Sequence, residues 1–207
     1  MATSWRASPL LTAYHAITVD GDVANKNILV AGGAGAVGHY AIQLAKIKGA
    51  RQIIATVSSP EKAALARDAG ADIILNYKTD DLLLAIQDAT AGQGIDRIVE
   101  VDFAANVNTD IAVLRSNGKV IVYGSGVPEI SVPFSPAIRK GARMIFFIVY
   151  SLDDDVREKA ITDLTMLLEG NRLKHNIAVR LPLEQIAEAH DLVENGRVSG
   201  NVVLEIT

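Results

Sequence analysis

Apolar and polar residues alternate in blocks along this 207-residue chain. Short unbroken apolar runs, the mark of strands covered on both faces, precede segments whose apolar residues recur at helical spacing. Residues 28–31 form the first such run. After it, Val37, Ala41, Leu44 and Ala45 trace one stripe of a helix over residues 36–47. The pattern then predicts strand 52–57, helix 60–68 with Pro60 in its first turn, strand 72–75, and helix 80–90 stopping before Gly92. Strand 96–101, helix 107–114 and strand 119–123 follow, the last ending at Gly124-Ser125-Gly126. Residues 127–138 hold three prolines and are expected to be loop. A sixth strand over 144–150, helices over 156–168 and 183–195, and a last strand over 202–206 complete the pattern.

Strand and helix alternate, so the chain is expected to be α/β, with a Rossmann-type, doubly wound, parallel six-stranded sheet and helices on both faces. The expected strand order is 3-2-1-4-5-6, with a ligand at the carboxyl ends of the first and fourth strands. Those ends are residues 32–38, 57–62, 101–106 and 124–126.

The segment NILVAGGAGAVGHYAIQLAKIKG, residues 27–49, narrows the ligand. A strand leads into Gly33-x-Gly35-x-x-Gly38, and an amphipathic helix follows. In a dinucleotide-binding unit the first glycine makes the tight turn, the second lets backbone approach a pyrophosphate, and the third lets helix and strand pack closely. The pyrophosphate then meets free N–H groups at a helix N-terminus. A glycine-rich turn with no ligand is the plain alternative in a chain with 16 glycines.

Charge and composition remove other classes. The net charge of −4 gives no basic footprint, so nucleic acid is not an expected partner. The absence of cysteine removes disulfides, thiolate catalysis and cysteine-ligated zinc. The four histidines have no ligand spacing, and no metal is expected. No apolar run reaches membrane-spanning length. The first residues lack the pattern of a secretory signal, so the cytoplasm is the expected compartment.

An NAD site usually carries an acid at the end of the second strand for the ribose 2′-hydroxyl. Here that end reads Ala55-Thr56-Val57-Ser58-Ser59-Pro60, with no acid before Glu61. A carboxylate would repel a 2′-phosphate, whereas Ser58 offers a hydroxyl and room, and Lys62 a positive charge. Tyr77, just past the third strand, is placed to close the pocket. The expected cofactor is therefore NADPH. Alone, Lys62 reads as a solvated helix lysine; the missing acid beside it gives it weight.

Together with LLTAYHAI (10–17), ATVSSPEKAALARDAGADIILNY (55–77), GIDRIVE (94–100), GKVIVYGSG (118–126) and PLEQIAEAHDLVENGRVSGNVVLEI (182–206), the glycine segment resembles the zinc-independent medium-chain dehydrogenase/reductases. It is most similar to their quinone oxidoreductase, zeta-crystallin-like group. The resemblance implies hydride transfer from NADPH to quinones or activated alkenes. It places Ala34, Gly35, Ala36 and Val37 at the pyrophosphate, beside Gly33 and Gly38 of the motif. Ser58, Lys62 and Tyr77 fall at the 2′-phosphate, Gly124 and Ser125 at the ribose, and Phe147, Ile148 and Val149 near the nicotinamide. Asn201 stands after Gly200 where the family often has lysine.

The family also has a GroES-like catalytic domain before the nucleotide domain. Residues 1–24 match the segment joining the two, and 25–207 the nucleotide domain. The return segment, about 172–207, would contact the catalytic domain. The chain thus reads as a cofactor domain of a longer enzyme or as a natural short form, with little or no turnover alone. The resemblance further implies a homodimer through an edge strand over residues 142–150, and the last strand is expected to lose its usual partner.

No nucleophile–base pair is needed for hydride transfer, and no catalytic side chain is assigned. A short-chain dehydrogenase would place Lys four residues after Tyr; the residues there are Thr18, Leu44, Asp81, Val127 and Asp154. Two other classes stay open: a non-catalytic NADP(H)-binding module or redox sensor, and an S-adenosylmethionine methyltransferase. The latter usually also needs the acid that the second strand lacks.

Overall fold

A computed structural model of the chain describes residues 7–206. Residues 1–6 of the expected linking segment lie outside the described residues; its remainder begins with α1 (Ala7–Thr18). Strand and helix then alternate: β1 (Asn27–Val30), α2 (Ala36–Ile47), β2 (Gln52–Val57), α3 (Pro60–Ala69), β3 (Ile73–Asn76), α4 (Leu82–Ala89), β4 (Ile95–Glu100), α5 (Phe103–Val113), β5 (Leu114–Val122), α6 (Phe134–Lys140), β6 (Arg143–Phe146) and α7 (Asp154–Glu169). These strands form a six-stranded sheet in the order β3-β2-β1-β4-β5-β6, parallel throughout, as the pattern predicts. One apolar core lies between the sheet and α1, α2, α3 and α7, and a second between the sheet and α4 and α5, with α6 packed at its edge. No helix among the described residues is long and apolar enough to cross a membrane.

The structure departs from the expected pattern in three places. Residues 134–140, expected as loop, are α6. Pro133 caps it and Pro136 lies in its first turn, where no helical bond needs the missing N–H. The sixth strand stops at Phe146, because β5 offers pairing no further than Val122. Beyond it the chain turns in a short 3-10 segment (Val149–Ser151), and Phe147 and Val149 pack inward while Ile148 and Tyr150 stay exposed. Phe147 lies against His15 with ring centres 4.6 Å apart, and Val149 enters the core. Finally, residues 177–182, not expected as a strand, form β7 (Ile177–Pro182). It pairs in parallel with β8 (Asn201–Glu205) across α8 (Ile186–Glu194), so the last strand does have a partner.

Two buried charged groups on β4 brace opposite ends of the sheet. Arg97 is 1% exposed, and its guanidinium donates to the carbonyls of Ala16 (3.1 Å), Ile17, Val19 (2.6 Å) and Gly21 (3.0 Å). Ala16 and Ile17 lie in the last turn of α1, whose carbonyls lack helical donors, and Val19 and Gly21 follow it, where a cation also suits the helix dipole. Burial pushes Arg97 down to about 10, against the opposing pull of Asp20 and Asp22, so it stays charged at neutral pH. Asp20 in turn meets Lys119 of β5 (2.9 Å) and Arg143 of β6 (3.1 Å).

At the other end, Glu100 accepts hydrogen bonds from Asp102 N (2.5 Å) and Asn106 Nδ2 (3.0 Å), fixing the turn into α5. Its carboxyl meets that of Asp110, also buried. Glu100 Oε2 and Asp110 Oδ2 meet no other donor, which one shared proton resolves. Burial, and then the Glu100 charge, raise Asp110 well above the ordinary carboxylate range; burial also raises Glu100.

Arg97→Met should therefore lower stability by roughly 3 kcal/mol or more, by orphaning buried carbonyls. A urea midpoint equal to the parent's would refute this. Because the folded pKa of Asp110 lies above its unfolded value, the stability tied to the shared proton is complete below about pH 4 and is lost as pH rises. Asp110→Asn replaces that proton with an amide hydrogen. Its thermal midpoint should exceed the parent's at about pH 8 and lose that lead at about pH 4; parallel pH profiles would contradict the shared proton.

Candidate functional site

The site begins where β1 ends. Gly32 turns the chain with φ +66°, a left-handed conformation that favours glycine. The tight turn thus falls at Gly32, one residue before the first motif glycine. Thr56 at the end of β2 holds this turn: its hydroxyl accepts from Gly32 N (3.3 Å) and its carbonyl from Gly33 N (2.9 Å). Gly33 faces inward, where a β-carbon would lie 2.7 Å from that of Ala55. A β-carbon on Gly38 would lie 2.9 Å from the Gly32 carbonyl carbon and 3.0 Å from Gly33 Cα. Backbone therefore crosses backbone here, and only glycine fits. Gly35 caps α2 without a side-chain bond, so the first-turn N–H groups of Ala36, Val37 and Gly38 have no acceptor within the helix.

These groups open onto a cleft of about 530 Å³. Ala34, Gly35, Ala36, Val37 and Gly38 form its floor, with Ser58, Lys62 and Tyr77 on one side. The sequence-expected residues for pyrophosphate and 2′-phosphate, Gly33 apart, are thus brought together. Ser59 caps α3 by accepting from Lys62 N (3.3 Å), which sets Lys62 in the first turn facing the cleft. Glu61 stays out of the cleft lining: the Ser59 hydroxyl and its own backbone N–H hold its carboxyl below the usual range. Tyr77 is tied to the end of β2 through its N–H to Val57 O (3.0 Å), and its ring is exposed.

A second cleft of about 460 Å³ lies at the ends of β5 and β6, lined by Gly124, Ser125, Phe147 and Ile148. Tyr123 lines both clefts and so joins them. Burial, and then the charge of Glu100, raise its phenol, which remains a neutral hydroxyl. The Ser125 hydroxyl donates to Val127 O (2.8 Å), and Gly126 N donates to Asp102 Oδ1 (2.9 Å), fixing this loop.

Two expected site residues lie elsewhere. Val149 is buried in the core behind Phe147, turned inward by the 3-10 segment. Asn201 is buried at the start of β8, where its amide donates to Asn176 O (3.0 Å). Sequence reasoning missed Val198 and Ser199, which with Gly200 form the outer wall of the first cleft. No signal marked them, because they come from a unit distant in sequence. No group of three or more His, Cys, Asp or Glu able to hold a metal occurs among the described residues.

The zinc-binding dehydrogenase family matches residues 36–165. A quinone oxidoreductase of Pongo abelii is 31% identical over 199 residues, covering 95% of this chain and 60% of that protein. A mycobacterial structure complexed with NADPH superposes with a TM-score of 0.88 at 25% identity, covering 99% of this chain and 66% of that one. An NAD-dependent alcohol dehydrogenase superposes with a TM-score of 0.86 at 28% identity, covering 96% and 57%. The chain spans about 60% of the length of the curated relatives it matches. The resemblance to the medium-chain dehydrogenase/reductases and their quinone oxidoreductase group is thereby borne out, and the chain belongs to the zinc-binding dehydrogenase family within them.

Proposed function

We propose that this chain binds NADPH and forms the cofactor half of a zinc-independent, cytoplasmic oxidoreductase that reduces quinones or other activated alkenes. One observation carries the reading: the glycine floor and the acid-free end of β2 open into the same cleft. A dinucleotide phosphate needs both. The residues fit it, since Gly35 offers no side chain to obstruct a pyrophosphate and the first-turn N–H groups of α2 are free to donate. Ser58, Lys62 and Tyr77 supply hydroxyls and a cation for the 2′-phosphate, and no carboxylate in the cleft lining opposes it. In this reading Gly124 and Ser125 meet the ribose, while Phe147 and Ile148 border the nicotinamide ring. Val149 backs Phe147 from the core, and Asn201 supports Gly200.

Bound NADPH supplies the hydride; the chain orients it and excludes water from one face of the ring. The quinone oxidoreductase relatives support the acceptor class. Since the chain corresponds to about 60% of their length, little quinone turnover is expected from it alone. We also propose a homodimer through β6, an unpaired sheet edge with Phe146 61% and Tyr150 72% exposed beside it. Such edges associate unless covered.

Titration followed by cofactor fluorescence should give an NADPH Kd at least about tenfold below that of NADH. Lys62→Ala should weaken NADPH roughly tenfold, about 1.4 kcal/mol, and leave NADH unchanged. Equal affinities for both cofactors would refute the 2′-phosphate assignment. Light scattering should give a dimer mass; a monomer at micromolar concentration would rule out the β6 interface.

A further inference from the structure

The outer wall of the first cleft, residues 198–200, belongs to the β7–β8 unit and not to the large sheet. One side chain joins the two. Asn176, the residue before β7, donates from Nδ2 to Ala34 O of the glycine loop (3.3 Å) and to Ser199 O of the wall (3.2 Å). Its own carbonyl accepts from Asn201 N (2.9 Å) and Asn201 Nδ2 (3.0 Å). The wall packs over this amide because residue 200 is glycine, at φ +126°. A β-carbon there would lie 2.7 Å from Asn176 Cγ.

The geometry has a consequence for the glycine loop. The Ala34–Gly35 peptide is held at both ends, its carbonyl by Asn176 and its N–H by Gly32 O (2.9 Å). A peptide unit is planar, so fixing both ends fixes its plane. That plane leads directly into the first turn of α2, where the free N–H groups lie.

We propose that Asn176 is a positioning residue that locks the 198–200 wall to the glycine loop and so presets the width of the cleft at the cofactor pyrophosphate. The inference rests on the reading of this cleft as an NADPH site. Asn176 lies outside the cleft lining and acts through Ala34 and Ser199. Its removal should therefore weaken a ligand that spans loop and wall, but not one held only by Ser58, Lys62 and Tyr77.

The test compares NADPH with adenosine 2′-monophosphate, which has no pyrophosphate, on the full chain. Asn176→Ala should raise the NADPH Kd about tenfold and leave the adenosine 2′-monophosphate Kd within about twofold of the parent's. An unchanged NADPH Kd overturns the proposal, and so does equal weakening of both ligands, which marks a general structural role. A parent chain that binds neither ligand overturns the cleft reading itself, and the lock with it. If the variant does not fold, hydrogen exchange on the parent decides. NADPH should slow the amides of residues 199–201 together with those of 35–38; slowing at the loop alone overturns the lock.

Discussion

The crossing of Gly38 over Gly32 is the constraint on which the functional end of the molecule depends. Helix α2 has to start immediately after β1 for its first-turn N–H groups to face the carboxyl edge of the sheet. That start is sterically open only because Gly38 carries no side chain where it meets the Gly32 backbone. Thr56 then ties the turn to β2 through two hydrogen bonds. The end of β2, with Ser58, is thereby placed beside the loop, and α3 follows with Lys62 in its first turn. The glycine floor and the Ser58–Lys62 side of the cleft are thus positioned by one local packing event.

Strand β4 extends this order to the rest of the sheet. A buried guanidinium or carboxyl is costly unless its hydrogen bonds are met. Arg97 meets its own by capping α1, and Glu100 by fixing the β4–α5 turn and sharing a proton with Asp110. Asp102, held by Glu100, in turn holds Gly126, so the loop of the second cleft is aligned by the same group. Charge in the central strand therefore serves position at both ends.

Much of this was legible in the sequence. Helix α2 and strand β2 lie where the pattern set them, because glycine and proline mark their boundaries. The strand order followed from strand–helix alternation. The pattern failed where one residue type has two meanings. Pro133 and Pro136 read as loop markers but start α6, because a helix tolerates proline in its first turn. The apolar run from Phe147 to Val149 read as strand, but Phe147 packs on His15 of α1 and Val149 enters the core once the pairing with β5 ends at Val122. In the cleft, Ser58 and Lys62 were expected from the acid-free end of the second strand and Tyr77 from the end of the third, and all three line it. Asn176 and Ser199 were not, because Asn176 meets Ala34 across 142 positions of sequence.

The β7–β8 unit accounts for the remaining part of the cleft. A two-stranded sheet is marginal by itself, so this unit draws its order from docking. Gln43 of α2 accepts from Lys174 N (2.7 Å) and donates to Lys174 O (3.0 Å), a two-way bond that pairs a side chain with a backbone segment. Tyr40 of α2 meets His175 (2.8 Å), and Leu173 enters the core. The unit is thus suspended from the same helix whose N-terminus forms the floor of the cleft. Its outer strand positions stay partly exposed, which makes it the less stable wall. The Asn176 amide then ties the 198–200 wall to the glycine loop, so both sides of the cleft are held from the N-terminal end of α2. The glycine crossing fixes where α2 starts, and with it the N–H groups that open onto the cleft.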